Sequence, residues 1–414
     1  MNRLVLIGNG FDLAHDLKTS YADFIDWYYD KMIKEMCSTY EKKLSDELCT
    51  FEYLGEGHLY TYFYGNPIIK QESGYGKEIF EYLIQNTVEF EHKISPLFDR
   101  IRQGVASKTW GGIEQDYYDL LKEYAFRDPN DNPAEPPIKA LNQQLRYIQE
   151  LLVEYLKEVS ETQPEKIRSI EEAIYAPFKE EDISVAEKKH FKEHKSYWEF
   201  HEERNNELYA IVRKYGYDEI QCEGDVRCWR EDQPNGTTIY PFEFLLPKEI
   251  MLLNFNYTNT ASQYRKTRDS FKEVHIHGKI GNSPSVIFGY GDELDDKFKE
   301  LKAHKNNACL SHVKSIRYLE APNYRQMLSF IESEPFQVLI MGHSCGNSDR
   351  TLLNTIFEHP NCVSIKPYYY ITDKEKGTDN YIELVQHISR NFNDMKLMRD
   401  RVVNKTQCEP LVHD

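Results

Sequence analysis

Short, nearly continuous apolar runs stand at both ends of the chain, and stretches with helical periodicity separate them. The first run is RLVLIG near the amino terminus, and the later ones are EIMLLNFN, EVHIHG, SVIFGY, FQVLIMGH and CVSIKPYYYITD. Continuous apolar runs are typical of strands that helices cover on both faces. Because helix-like segments follow several of these runs, the pattern predicts an α/β fold with a mostly parallel sheet.

The middle of the chain has a helical and highly charged pattern. Its clearest stretch begins after Pro137 and ends before Pro164, which predicts a helix over 138–159. The apolar residues that recur there at helical spacing are Ile138, Leu141, Leu145, Ile148, Leu152, Tyr155 and Val159.

A lone strand near residue 3 needs neighbours to be stable, and the next good strands lie about 240 residues further along the chain. We therefore expect one Rossmann-like domain, built from residues 1–75 and 218–414. The segment 76–217 is predicted to be a helical insertion that packs beside the sheet as a subdomain.

The formal net charge is −17, from 68 acidic and 51 basic residues. A field of this sign repels phosphates, so we expect no nucleic-acid partner. The chain has no apolar run of transmembrane length and no signal-peptide pattern, and its eight cysteines are scattered. These features predict a cytoplasmic protein with reduced thiols and no membrane partner.

Two glycines mark the point where the first predicted strand meets a helix. Gly8 and Gly10 flank Asn9 directly after the apolar run, and Asp12 follows. A glycine turn at a helix N-terminus lets backbone N–H groups approach a phosphate, so these four residues are predicted to bind a nucleotide. The third glycine of the dinucleotide fingerprint is replaced by Leu13, and a purely structural tight turn explains the pattern equally well.

The segment FQVLIMGHSCGNSD repeats this order of strand, glycine, small polar turn and helix. Gly342, His343, Ser344 and Asp349 are therefore predicted to bind the same ligand. Ser348 is the predicted N-cap of the helix, with Asp349 in its first turn. The apolar residues that continue at helical spacing are Leu352, Leu353, Ile356 and Phe357.

Two histidines alternate along the predicted strand EVHIHG, so His275 and His277 should point to the same face. This arrangement suits two metal ligands, or one catalytic histidine with a supporting neighbour. A third metal ligand would have to be His343 or Asp349; the spacing requires neither, and we assign no metal. A structural role for the pair is the alternative, while Gly278 would let a ligand approach closely.

The segment NFNYTN places Asn254 and Asn256 at the end of a predicted strand, where open α/β sheets bind ligands. Spacing alone favours the alternative that both amides bond to the backbone of the local turn.

Together these motifs resemble the AbiH family of bacterial abortive-infection proteins. The similar segments are IGNGFDLAHDLKTSYADF, NFNYTNT, HIHG, VIFGYGDE and IMGHSCGNSDRTLL, in the family's order. The segment TWGGIEQDYYDLL, with Trp110 and Glu114 one helical turn apart, also resembles the family. The resemblance spans nearly the whole chain and implies a role in defence against phage.

A more distant resemblance is to sirtuin-type NAD-consuming folds. The residues similar to their glycine turn, TxNxD, HG and Gly-x-Ser motifs are Gly8 with Gly10, Asn256, His277 with Gly278, and Gly342 with Ser344. The chain departs from GAGxS, has Thr258 in place of the aspartate of TxNxD, and lacks a four-cysteine zinc ribbon. The last departure argues against lysine deacylation. The resemblance implies NAD hydrolysis, with His277 as general base and Asn256 positioning water or ribose.

We therefore expect an antiphage effector that binds a dinucleotide and hydrolyses NAD, which is its substrate and not a prosthetic group. One alternative is a nucleotide-binding sensor without catalysis. Another is a metal-dependent phosphodiesterase or nuclease that uses His275, His277, His343 and Asp349. A phage-derived trigger and a second copy of the chain are the further partners we expect.

Overall fold

The structure is a computed structural model that describes residues 1–65, 75–104, 110–127, 138–189, 246–266, 270–281 and 286–412. Its strands are β1 (Asn2–Ile7), β2 (Lys43–Ser45), β3 (Cys49–Tyr53), β4 (Phe90–Ile94), β5 (Ile250–Asn254), β6 (Phe271–His275), β7 (Phe336–Met341), β8 (Cys362–Tyr368), β9 (Ile371–Asp373) and β10 (Thr378–Asp379). The α-helices with both ends in the described residues are α1 (Asn9–Ala14), α2 (Tyr21–Ser38), α3 (Leu59–Gly65), α4 (Gly76–Gln85), α5 (Pro96–Gln103), α6 (Trp110–Ala125), α7 (Ile138–Val159), α8 (Arg168–Tyr175), α9 (Asp296–Ala303), α10 (Lys314–Arg317), α11 (Asn323–Ser333), α12 (Arg350–Phe357), α13 (Tyr381–Arg390) and α14 (Met395–Arg401).

A five-stranded parallel sheet with the order β6-β5-β1-β7-β8 forms the centre of the fold. Every residue of β1 is buried, because successive side chains enter two different cores. Leu4 and Leu6 face a cluster that includes α11 and α12, whereas Val5 and Ile7 face a cluster that includes α1 and α8. The predicted α/β fold with a parallel sheet flanked by helices is confirmed.

The strand order places β1 in the middle of the sheet. The chain adds β5 and β6 on one side of β1 and then crosses to the other side for β7 and β8. This is the order of the first five strands of the six-stranded Rossmann sheet, and the reversal of direction lies between β1 and β7. Ligands of open α/β sheets bind at the carboxyl ends of the strands beside such a reversal.

The apolar run SVIFGY was predicted to be a strand, and the structure corrects this. Its described part, residues 286–290, forms only a single bridge between Tyr290 and Val313. Tyr290 instead stacks on Tyr118 of α6, with ring centroids 3.7 Å apart, and Phe288 enters the same helical core. The run is apolar because its aromatic residues enter that core. Periodicity alone cannot distinguish such a run from a buried strand.

The helix after the second glycine turn is confirmed, but Ser348 is not its N-cap. A 3₁₀ turn covers Asn347–Asp349, and Asp349 occupies the cap position of α12 without a side-chain capping bond. Its carboxylate is engaged by Lys314 and His277 instead. Tertiary ion pairing has therefore replaced local capping at this helix end.

A helical layer with its own hydrophobic core packs beside the sheet. The predicted helix over 138–159 is confirmed as α7, and this core already begins at Tyr21 in α2. A small antiparallel sheet, β2-β3-β4, belongs to the layer. β4 lies in a stretch predicted to be helical, although its alternating burial has the period of a strand.

The limits of the insertion remain a prediction, since residue 217 lies outside the described residues. Within those residues, the five strands of the central sheet all lie in 1–75 and 218–414. Six cysteines are free among the described residues, whereas Cys222 and Cys228 lie outside them, and the reduced state of the thiols stays a prediction.

The turns after β1 and β7 are packed backbone against backbone. The N–H of Gly8 donates to the carbonyl of Met341 at 3.2 Å, and the N–H of Gly10 donates to that of Gly342 at 2.8 Å. A Cβ atom on Gly8 would lie 2.4 Å from the Cα of His343, and one on Gly342 would lie 2.0 Å from the backbone nitrogen of Phe11. Glycine is required here because two turns occupy almost the same space.

We expect Gly342→Ala to lower the free energy of unfolding by well over 2 kcal/mol, because φ is +73° and the new Cβ would overlap backbone. The matched control is Gly377→Ala, where φ is +66° and nothing lies within 4 Å. That change should cost only the conformational strain, about 1–2 kcal/mol. Urea unfolding of both variants measures the difference, and equal losses would contradict the close packing of the two turns.

Candidate functional site

The sheet brings four of the predicted motifs to one edge. The side chain of Asn256, after β5, donates to the carbonyl of Gly8, after β1, at 2.9 Å. The ring of Phe255 lies between His277, after β6, and His343, after β7, with centroid distances of 5.3 and 4.1 Å. Parallel strands end on the same side of the sheet, so these residues meet although they are distant in sequence.

A buried charge network lies behind this edge and consists of Glu114, Lys314, Asp349, His277 and Tyr318. Asp349 Oδ1 is 3.1 Å from His277 Nε2 and 2.9 Å from Lys314 Nζ. Lys314 Nζ is 2.8 Å from Glu114 Oε2, and Glu114 Oε1 accepts from the backbone N–H of Gly289 at 3.2 Å. Four separate chain segments therefore converge on one row of charges.

The network is almost completely withdrawn from water, with Lys314 2% exposed and His277 4% exposed. Burial favours the neutral form of Lys314, but the carboxylates of Asp349 and Glu114 outweigh it and raise the pKa of the ammonium. Burial would likewise raise the pKa of Asp349, yet Lys314 and His277 hold that pKa well below its usual range. Burial also raises the pKa of Glu114, against the opposing charge of Lys314. Lys314 and Asp349 thus form a charged pair inside the protein.

His277 is oriented by two partners on one ring nitrogen. Its Nε2 lies 3.1 Å from Asp349 and 3.2 Å from the hydroxyl of Tyr318, whose ring is parallel to the imidazole. An Nε2–H that donates to the carboxylate leaves Nδ1 as the basic nitrogen of a neutral imidazole. A histidine held in this way suits proton transfer.

His343 completes the surroundings of Asp349. Its Nδ1 accepts the backbone N–H of Cys345 at 3.0 Å, and its Nε2 lies 3.8 Å from Asp349 Oδ2. Burial lowers the pKa of His343 to about 4, so the ring is neutral near pH 7. Cys345 has φ of +54°, a left-handed conformation that a non-glycine residue adopts only when its surroundings impose it.

Asp12 lies in a second buried polar group, beside the first glycine turn. Thr258 donates to its Oδ2 at 2.6 Å, and its Oδ1 has no hydrogen-bond partner in the described part of the chain. Burial raises the pKa of Asp12 from 3.8 to about 6, and hydrogen bonds from hydroxyls offset only part of that shift. Asp12 and Asp349 are both buried, but only Asp349 has a cationic partner in contact.

The two histidines of HIHG contact different partners. His275 Nδ1 is 3.1 Å from the carbonyl of Asn256, and its Nε2 is 3.2 Å from Glu273. His277 faces Asp349 instead. Among the described residues there is no group of three or more His, Cys, Asp or Glu side chains arranged to hold a metal ion.

The remaining predicted residues differ in how they are used. Asn254 bonds to its local turn, accepting the N–H of Asn256 at 2.9 Å, as the structural interpretation proposed. Ser344 is exposed, and Asn9 is half-buried. Gly278, which directly follows His277 beyond the end of β6, adopts φ of +83°. The nucleotide-binding role of the two glycine turns stays a prediction.

Sequence reasoning missed Lys314 and Tyr318 altogether. Lys314 in SHVKSIRY is part of no recognisable motif, and only the apolar residues near it in the sequence indicated that it is buried. Glu114 stood in a segment that resembles the family, but nothing in its spacing linked it to the late strands.

Fold and site together define an α/β protein with a Rossmann-like parallel sheet and a buried histidine–carboxylate network at the carboxyl edge of that sheet. A family model described as Bacteriophage abortive infection AbiH matches residues 4–370, so the chain belongs to the AbiH family. This membership gives the protein a role in bacteriophage abortive infection. The comparison with curated proteins finds no match, and neither does the comparison with solved structures. Over the part of the chain that is described, none of the helices combines the length and apolar character needed to cross a membrane.

The raised pKa of Asp12 makes stability depend on pH. The folded protein holds this proton more tightly than the unfolded chain, so the contribution is complete below about pH 4 and is lost as the pH rises towards about 6. We expect Asp12→Asn, which keeps an acceptor for Thr258, to raise the free energy of unfolding by about 2 kcal/mol at pH 7.5. The gain should vanish near pH 4, as measured by urea unfolding at both pH values.

Asp16→Asn is the matched control, since Asp16 is exposed just beyond the same helix and its φ of +59° is one that asparagine tolerates. Because Asp16 is exposed, its replacement should change the free energy of unfolding by only about 0.5 kcal/mol or less at either pH. A gain for Asp12→Asn that is equal at pH 4 and pH 7.5 would contradict the buried-carboxylate explanation.

Proposed function

We propose that this AbiH protein is an abortive-infection effector that binds a dinucleotide and hydrolyses NAD at the carboxyl edge of its parallel sheet. The observation that carries the proposal is the pair His277–Asp349, which is built from two different strand ends and lies beside the β1–β7 reversal. A histidine fixed by a buried carboxylate at a ligand-binding edge is an arrangement typical of acid–base catalysis.

The surface of this edge supports a ligand of the proposed kind. Gly10, Asn256 and Gly342 are half-buried, and Ser344 is exposed, so residues of the turns after β1, β5 and β7 are partly accessible to solvent. The N–H groups of Gly8 and Gly10 already have carbonyl acceptors. Polar side chains at the edge would therefore contribute to phosphate and ribose recognition alongside the turn backbone.

The proposed reaction breaks the bond between ribose and nicotinamide, and water forms the new bond at the ribose carbon. Nδ1 of neutral His277 takes a proton from the attacking water, and Asp349 stabilises the imidazolium that forms. Nicotinamide leaves as a neutral group, and ADP-ribose is the other product. Asn256 holds the water or the ribose in place.

We expect purified protein to release nicotinamide and ADP-ribose from NAD, measured by chromatography with and without phage lysate. His277→Ala should reduce the rate by about two to four orders of magnitude because the general base is lost. Asn256→Ala should also reduce the rate, because the water or the ribose is no longer held in place. Circular dichroism should show that both variants remain folded.

His359→Ala is the matched control. His359 also contacts a carboxylate, with Nε2 3.3 Å from Glu332, but it lies before β8, at the opposite edge of the sheet. Its replacement should leave the rate unchanged. NAD binding in a calorimeter without nicotinamide release would contradict hydrolysis and favour a nucleotide sensor. Activity that a chelator abolishes and a divalent metal restores would favour the metal-dependent phosphodiesterase.

A further inference from the structure

Lys314 has an environment that no motif in the sequence accounts for. Its ammonium lies between two carboxylates, Asp349 at 2.9 Å and Glu114 at 2.8 Å, and its side chain is 2% exposed. A buried ion pair of this kind is a weak source of stability, because removing charges from water offsets most of the attraction. The burial of Lys314 between two carboxylates therefore indicates a role beyond stability.

We infer that Lys314 and Glu114 are positioning residues that fix the carboxylate of Asp349 and, through it, the orientation and protonation of His277. This inference rests on the proposed function, in which His277 is the general base. Lys314 contacts Asp349 directly and Glu114 contacts Lys314, so both residues are connected to His277 through the carboxylate of Asp349.

One carboxylate oxygen of Asp349 contacts two partners. Asp349 Oδ1 contacts both His277 Nε2 and Lys314 Nζ, so the lysine partly neutralises the field that the carboxylate exerts on the imidazole. Glu114 in turn partly neutralises the lysine. The charge felt by His277 is therefore set by the whole row, not by Asp349 alone.

Among the described residues, the other side chains that contact His277 are uncharged. Tyr318 contacts Nε2 with its hydroxyl, and burial raises the pKa of that hydroxyl well above its ordinary value. Neutral His343 lies on the far oxygen of Asp349, and the ring of Phe255 meets the imidazole edge-on. Lys314, Glu114 and Asp349 are thus the charged groups that act on this histidine in the described residues.

The row also connects the helical layer to the site. Glu114 belongs to α6, and Lys314 is the first residue of α10. The backbone N–H of Lys314 donates to the carbonyl of Tyr290 at 2.9 Å. The correct placement of α6 is therefore required for the correct charge at His277. The helical layer contributes to the site although it supplies no residue at the edge.

The test compares Lys314→Met, Glu114→Gln and the double variant with the full-length parent protein. One readout is the pH dependence of nicotinamide release from NAD. The second is the ¹⁵N–¹H NMR spectrum of the His277 ring without NAD, identified by its loss in His277→Gln. The second readout does not depend on catalysis, so it decides the inference even if the protein does not hydrolyse NAD.

In Lys314→Met the carboxylates act on His277 without an opposing cation, which favours the imidazolium. We expect the acid limb of the activity profile to move to higher pH by about one to two units, with imidazolium-like ring signals near pH 7. Glu114→Gln should move the limb to lower pH. The double variant should lie between the two single variants, and it removes one charge of each sign if Lys314→Met alone does not fold.

Lys366→Met is the matched control, because Lys366 forms an equally buried pair with Asp182 at 3.1 Å, remote from the site. It should lower stability without moving the acid limb or the His277 signals. If the Lys314 and Glu114 variants behave in the same way as this control, their role is purely structural and the inference is wrong.

Discussion

The carboxylate of Asp349 ties the sheet edge to the helical layer, and the geometry of the site depends on it. A buried carboxylate is tolerated only with close, well-placed partners. Here the partners are Lys314 and His277, which come from different segments of the chain. The second glycine turn, α10 and α6 must therefore all be in place together for this charge to be stable.

Burial raises the pKa of both aspartates at this edge, but their different neighbours give opposite net shifts. The hydrogen bonds to Asp12 offset only part of the effect of burial, so its pKa rises to about 6, whereas cationic neighbours keep that of Asp349 well below its usual range. Pairs of carboxyl groups separated in this way are common where one group must stay charged and another can exchange a proton. The edge thus offers two kinds of proton chemistry within one fold.

The glycines of the two turns allow the turns to pack against each other, and the sequence pattern did not distinguish this role from ligand binding. Gly8, Gly10 and Gly342 permit backbone contact between the turns, with two N–H groups donating to carbonyls of the opposite turn. This contact sets the spacing between β1 and β7 at the reversal of the sheet. Structural packing and ligand approach make the same demand for a missing side chain, so sequence alone cannot separate them.

The sequence by itself determined what depends on local periodicity. Buried strands such as β1 and the long helix α7 were predictable because their side chains repeat with the period of their own element. The family motifs further marked His277 and Asp349 as residues of interest.

Only the tertiary structure decided that these two form a pair and that Lys314 and Glu114 stand behind them. It also decided that Ser348 is not a cap and that SVIFGY is not a strand. Those outcomes depend on which distant groups meet in a buried, low-dielectric interior, and the contacts are between residues that lie up to about 200 positions apart, beyond the reach of any local pattern.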